Sequence, residues 1–96
     1  MNNLYVSTTF IEDNQRIKVA LDILKSAGIK NVELGSNHIY ESNYNYIKKY
    51  NFNFLLHNYF PTPKKGFVIN IASFNKKIRD RSLNQIKKSI IFYKKI

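Results

Sequence analysis

Cysteine and tryptophan are absent from this chain, glycine occurs three times, proline twice, and acidic residues number 6 among 96. Without cysteine there is no disulfide framework, no thiolate nucleophile and no Cys-ligated zinc. Two histidines, His38 and His57, bound what imidazole can contribute to a metal site. The three glycines stand apart and form no phosphate-cradling loop. No Ser-His-Asp order or paired-carboxylate motif stands out. No apolar run exceeds four residues, which is too short to span a bilayer. Residues 1–5 lack the basic-then-apolar plan of a signal peptide. These absences predict one small soluble domain of cytoplasmic type, with no membrane partner.

What the chain has in excess is positive charge: 16 Lys and Arg give a net +10. Clustered cations bind nucleic acid by releasing counterions from phosphates. Here, however, 13 of the 16 are Lys, and only three are Arg, the residue suited to bidentate phosphate contacts. Asn, Lys and Ile occur 13 times each and Tyr 7 times. All four have A/T-rich codons, so base composition accounts for much of the charge. Charge alone is weak evidence for nucleic acid.

Hydrophobic patterning alternates between two periods. Residues 4–10 read as a strand, with Tyr5, Val6, Thr8 and Thr9 supplying β-branched and aromatic character. Asp13 is placed to cap a helix whose apolar face is Ile17, Ala20, Leu21 and Leu24, ending near Ala27. Gly28 fits the left-handed residue that closes such a helix. Residues 32–35 start a second strand, in which Glu33 and Gly35 share one face and Val32 and Leu34 the other. A short helix is expected over 42–50, with Tyr44, Ile47 and Tyr50 on related faces, then a third strand over 52–57. A long loop follows over 58–70, holding Pro61, Pro63 and Gly66. Asn75 is placed to cap a last helix with a core stripe of Ile78, Leu83, Ile86, Ile90 and Tyr93. The order is βαβαβα.

That order implies an α/β fold with a parallel sheet and right-handed crossovers. Three helices on one side leave the sheet's other face bare, although parallel strands are normally covered on both faces. The expectation is therefore a partial domain over residues 1–96, with self-association or a complementing chain covering the sheet.

A resemblance points the same way. The stretch Ala27-Gly28-Ile29 leading to Val32-Glu33-Leu34-Gly35 resembles the first crossover of xylose isomerase-like TIM barrels. His57-Asn58-Tyr59-Phe60, followed by Asn70-Ile71-Ala72-Ser73, Arg79 and Ser82, is similar to the third-strand signature of the sugar phosphate isomerase/epimerase branch. It is looser toward endonuclease IV, the abasic-site DNA repair enzyme, because residues 61–66 lengthen the loop after the histidine. The resemblance covers essentially the whole chain but only the first three of eight units. A barrel of about 250 residues spends roughly 95 on three units. It implies the N-terminal portion of a (β/α)8 TIM barrel and a site at the C-terminal ends of the strands. The intact family holds a divalent metal (Mn, Mg or Zn) and acts on a sugar or sugar phosphate, with most ligands and the base on later strands. A fragment of this kind is expected to be inactive alone. The alternatives are an endonuclease IV-like fragment and a small non-catalytic α/β binding module.

The candidate residues follow. The resemblance carries a metal-ligand role to His57, against a hydrogen-bonded histidine at a strand end. Glu33, a lone acid in an apolar strand, is the second metal candidate, because a buried carboxylate is costly unless paired. A structural partner to a backbone amide or a lysine is its alternative. His38 falls in a polar loop where a solvated role competes with substrate contact. Asn58 and Asn70 can bind sugar hydroxyls or phosphate, yet the same groups cap turns. Lys64 and Lys65 are the local phosphate candidates, with a solvated loop tip as the alternative. Tyr40, Tyr44, Tyr46 and Tyr50 read as a helix packing face rather than a base-stacking surface.

Overall fold

A computed structural model describes residues 4–96. Residues 1–3, which include most of the segment read for a signal peptide, lie outside the described residues. Strands β1 (Val6–Ser7), β2 (Asn31–Leu34) and β3 (Asn53–Leu56) form one parallel sheet in the order β1-β2-β3. Helix α1 (Ile17–Ser26) links β1 to β2, a 3-10 turn (Asn45–Lys49) lies between β2 and β3, and α2 (Lys76–Lys95) follows β3. The protein is thus mixed α/β with a parallel sheet, and two of the three expected helices are α-helical.

The register aligns Val6 with Val32, and Val32 with Phe54. One sheet face supplies Val32, Leu34 and Phe54 to a core completed by Ile17, Leu21, Leu24, Ile47 and Phe60. The other face carries Ser7, Glu33 and Leu55 in register, and Leu55 is exposed. Glu33 therefore sits opposite the core, as the alternation of β2 predicts.

Helix α1 ends as its sequence indicates. Gly28 has φ +75°, its N–H reaches the Lys25 carbonyl at 3.1 Å, and the Ile29 N–H reaches Leu24 at 3.1 Å. These two bonds satisfy carbonyls that the last turn would leave unpaired. The start differs from expectation. The helix begins at Ile17 after Arg16, which makes no side-chain cap, while the Asp13 carboxylate instead accepts from Asn37 Nδ2 at 3.1 Å. Asp13 is spent on fastening two loops together.

The first strand is shorter than the 4–10 reading. Ser7 Oγ accepts the Thr9 N–H at 3.2 Å, and the chain turns into a 3-10 helix over Thr8–Phe10. Local hydroxyl-to-backbone bonds compete with the ladder and end it. A similar effect shapes 42–50, where Asn43 Oδ1 takes the Asn45 N–H at 2.8 Å and the segment settles as a 3-10 turn. Tyr44 and Ile47, three apart, both face the core.

The largest departure is in α2. Asn75 caps it as expected, accepting from the Lys77 and Ile78 N–H groups. Its buried residues, however, are Ser82, Gln85 and Ser89, while Ile78, Leu83, Ile90 and Tyr93 are exposed. The loop after β3 explains the rotation. Phe60 is fully buried, with a cis bond to Pro61, and the backbone around it presents carbonyls toward the helix. Gln85 Nε2 donates to Pro61 O at 2.8 Å, and Ser89 Oγ donates to Asn58 O at 3.1 Å and to Phe60 O. Buried carbonyls need donors, so the polar stripe turns inward. Phe92 completes the contact, packing edge-on against Phe60 and Tyr44.

Candidate functional site

The C-terminal ends of the strands meet the loops that carry most of the chain's chemistry. Thr8, the first residue past β1, is fully buried, and its hydroxyl accepts the Gly35 N–H at 2.8 Å. The same oxygen shares a 2.7 Å hydrogen bond with His38 Nε2. Gly35 is required here, because a Cβ would lie 2.3 Å from Thr9 Cγ2.

Around this centre the two loops are stitched together. Asn37 Nδ2 lies within bonding distance of Thr9 O, Ile11 O and Asp13 Oδ1. The Asn14 N–H donates to Asn37 O at 2.9 Å, and the Ile39 N–H to Gln15 O at 3.0 Å. Asn14 adopts φ 63°, a left-handed conformation that asparagine tolerates better than most residues.

A cleft of about 530 Å³ opens over this platform, lined among others by Asn14, Ser36, His38, Tyr40, Tyr59 and Lys64. Tyr59 is fixed on both sides. Its ring stacks with His57 at a centroid distance of 5.6 Å, and its hydroxyl accepts the Ile69 N–H at 2.7 Å. The loop after β3 is thereby held across the strand ends.

His38 corrects the solvated-loop reading: only 4 % of it is exposed. Burial lowers its pKa from the ordinary 6.5, and the Gln15 backbone and Glu41, which favour the protonated ring, oppose that shift more weakly. Its Nδ1 is buried with no aligned hydrogen-bond partner. The Thr8 bond thus fixes a neutral imidazole in the floor of the cleft.

The other candidates are dispersed. Lys64 lines the cleft with His38. Lys65 is exposed and lies outside the cleft, in a neighbouring recess. His57 is exposed, and its Nδ1 accepts the Tyr59 N–H at 3.3 Å, so it positions that tyrosine. Glu33 is half-buried on the open sheet face, beside Ser7 and Leu55. Asn58 lies in an apolar groove between β3 and α2, its carbonyl held by Ser89. Asn70 Oδ1 accepts the Ala72 N–H at 3.1 Å, and its own N–H donates to Ser82 Oγ at 2.8 Å. Among the described residues no three His, Asp or Glu side chains gather as a metal site would require. The divalent cation that the resemblance implies therefore does not fit the donors brought together among the described residues.

Sequence reasoning passed over Thr8, Asn14 and Asn37. The available signal was their type, short polar side chains just past strand ends, where such groups organise turns. Tyr40 was assigned to a packing face, yet it is exposed on the cleft, whereas Tyr44 is buried and Tyr46 and Tyr50 half-buried. Burial and the Glu41 carboxylate raise the Tyr46 pKa above the ordinary value, so this phenol stays protonated.

Comparison of the chain with protein-family models, with curated proteins and with solved structures finds no match. No described helix is long and apolar enough to cross a membrane.

Proposed function

We propose that this chain contributes the ligand-recognition end of a sugar phosphate isomerase/epimerase-like α/β protein, as its first three βα units, and binds a sugar or sugar phosphate without turning it over alone. The observation that carries the reading is the cleft itself. It lies past the C-terminal ends of parallel strands, where ligands bind in α/β folds, and it combines His38 with Tyr40, Tyr59 and Lys64. Aromatic faces suit the apolar faces of a sugar ring. Asn14 and Ser36 suit its hydroxyls, and Lys64 suits an anionic substituent.

The parallel order β1-β2-β3, with Ser7, Glu33 and Leu55 facing away from the core, supports placement in a larger sheet. On this reading a divalent metal and the catalytic base come from elsewhere in the assembly, and the residues here bind and orient the substrate. His57 then acts through Tyr59.

The test is an NMR titration of the chain with ribose 5-phosphate. Shifts confined to residues around His38, Tyr40, Tyr59 and Lys64 support the reading, and their absence at millimolar ligand overturns it. Metal-dependent isomerisation by this chain alone would overturn the clause on turnover.

A further inference from the structure

We infer that the recess between the 63–67 loop and α2 is a phosphate-binding subsite, formed by Lys64, Lys65, Arg81 and Lys88, that takes the phosphate of a small phosphorylated ligand seated in the adjoining cleft. The rest of that ligand rests on the sugar-binding reading above; the anion preference of the recess does not. Its volume is about 210 Å³, and four of its eight lining residues are basic, against one in six along the whole chain. None of the eight is acidic. Base composition raises lysine everywhere and does not explain this concentration.

Helix geometry gathers the groups. Arg81, Asn84, Gln85 and Lys88 fall at i, i+3, i+4 and i+7, on one face of α2. Asp80, the acid of that helix, is tied to Lys76 at 2.6 Å. Arg81 is held in place, with Cζ 4.2 Å from the centre of the Phe67 ring and Nη2 donating to the Lys65 carbonyl at 3.4 Å. A planar guanidinium fixed this way offers its remaining N–H groups to a phosphate with little ordering cost. Four cations around one recess repel one another, and a bound dianion relieves that repulsion. The recess adjoins the cleft, since Pro63, Lys64 and Phe67 line both. On this proposal a ligand that reaches past Phe67 places its ring beside Tyr59 and its phosphate against Arg81. A compact recess favours a single phosphate over the extended backbone of a nucleic acid.

The experiment is an NMR titration at constant ionic strength with inorganic phosphate, ribose 5-phosphate, ribose and duplex DNA, on the unaltered chain and on Arg81→Ala and Lys88→Glu. Both substituted residues are exposed, and circular dichroism melts check that folding is retained. Phosphate and ribose 5-phosphate are expected to shift residues 64–67, 81 and 88, and each substitution to weaken phosphate binding at least tenfold. A response no greater than that to chloride overturns the proposal, as does indifference to both substitutions. Preferential binding of DNA with shifts spread over the lysine-rich surface also overturns it. Localised phosphate binding with no response at His38 or Tyr59 would leave the subsite standing and remove the sugar reading. Ribose shifting His38 and Tyr59, with phosphate ineffective at Arg81, would do the reverse.

Discussion

Thr8 and His38, thirty residues apart, share a buried 2.7 Å hydrogen bond that ties the end of β1 to the loop after β2. Because the Thr8 hydroxyl also takes the Gly35 N–H, one oxygen sets the floor of the cleft. Thr8→Val keeps the shape and removes both bonds, leaving two buried polar groups unpaired. The expected cost is about 3 kcal/mol, read as a lower urea midpoint with an unchanged m-value. A change below about 0.5 kcal/mol would show that the hydroxyl does not organise the floor.

Gly35→Ala should be destabilising for a steric reason. The new Cβ meets Thr9 Cγ2 at 2.3 Å, with Ser7 Oγ and Thr8 Oγ1 also close. Overpacking of this kind costs about 1–3 kcal/mol. Gly66→Ala is the control, since nothing lies within 4 Å of a Cβ there. Thermal melts of the two variants should separate clearly.

Stability should depend on the charge of His38. Burial holds its folded pKa below the unfolded value near 6.5, so the unfolded chain binds more protons between the two. Stability is therefore full above pH 6.5 and declines as pH falls toward the folded pKa. Asp22 and Asp80, whose pKa values are lowered by Lys18 and Lys76 respectively, lose their contribution only below about pH 4. Urea midpoints between pH 7.5 and 5 should fall for the unaltered chain and stay flatter for His38→Asn.

The two stripes of α2 make opposite predictions. Gln85→Ala leaves the Pro61 carbonyl without its donor and should cost about 1–2 kcal/mol. Ile90→Ser and Leu83→Ser remove exposed side chains and should change stability by less than about 0.5 kcal/mol. Chemical denaturation of the three variants decides which face of the helix holds the fold. A core stripe of Ile78, Leu83 and Ile90 would reverse the order.

Millimolar Mn²⁺ or Mg²⁺ should leave the melting temperature of this chain unchanged. No three His, Asp or Glu side chains gather among the described residues, and a ligand stabilises only by binding the native state. A rise of several degrees would show a cation site that these donors do not account for.

The sequence alone determined the elements whose signals are local. The periodicity of Ile17, Ala20, Leu21 and Leu24 placed α1, Gly28 closed it and Asn75 opened α2, because spacing, left-handed backbone and side-chain capping act within a few residues. The alternation of β2 likewise put Glu33 opposite Val32 and Leu34. Only the tertiary structure decided which face of α2 turns inward. That choice answers the unpaired carbonyls of a loop some thirty residues earlier, and no helical period in α2 encodes them. It also decided the site. Asn14, Asn37 and His38 acquire their partners only when two loops meet past the strand ends, and Arg81 meets the Lys65 carbonyl and the Phe67 ring only because the loop after β3 folds back over the helix. Hydrogen bonds between residues distant in the chain carry no sequence pattern of their own, so the cleft became visible only when the strands were in register.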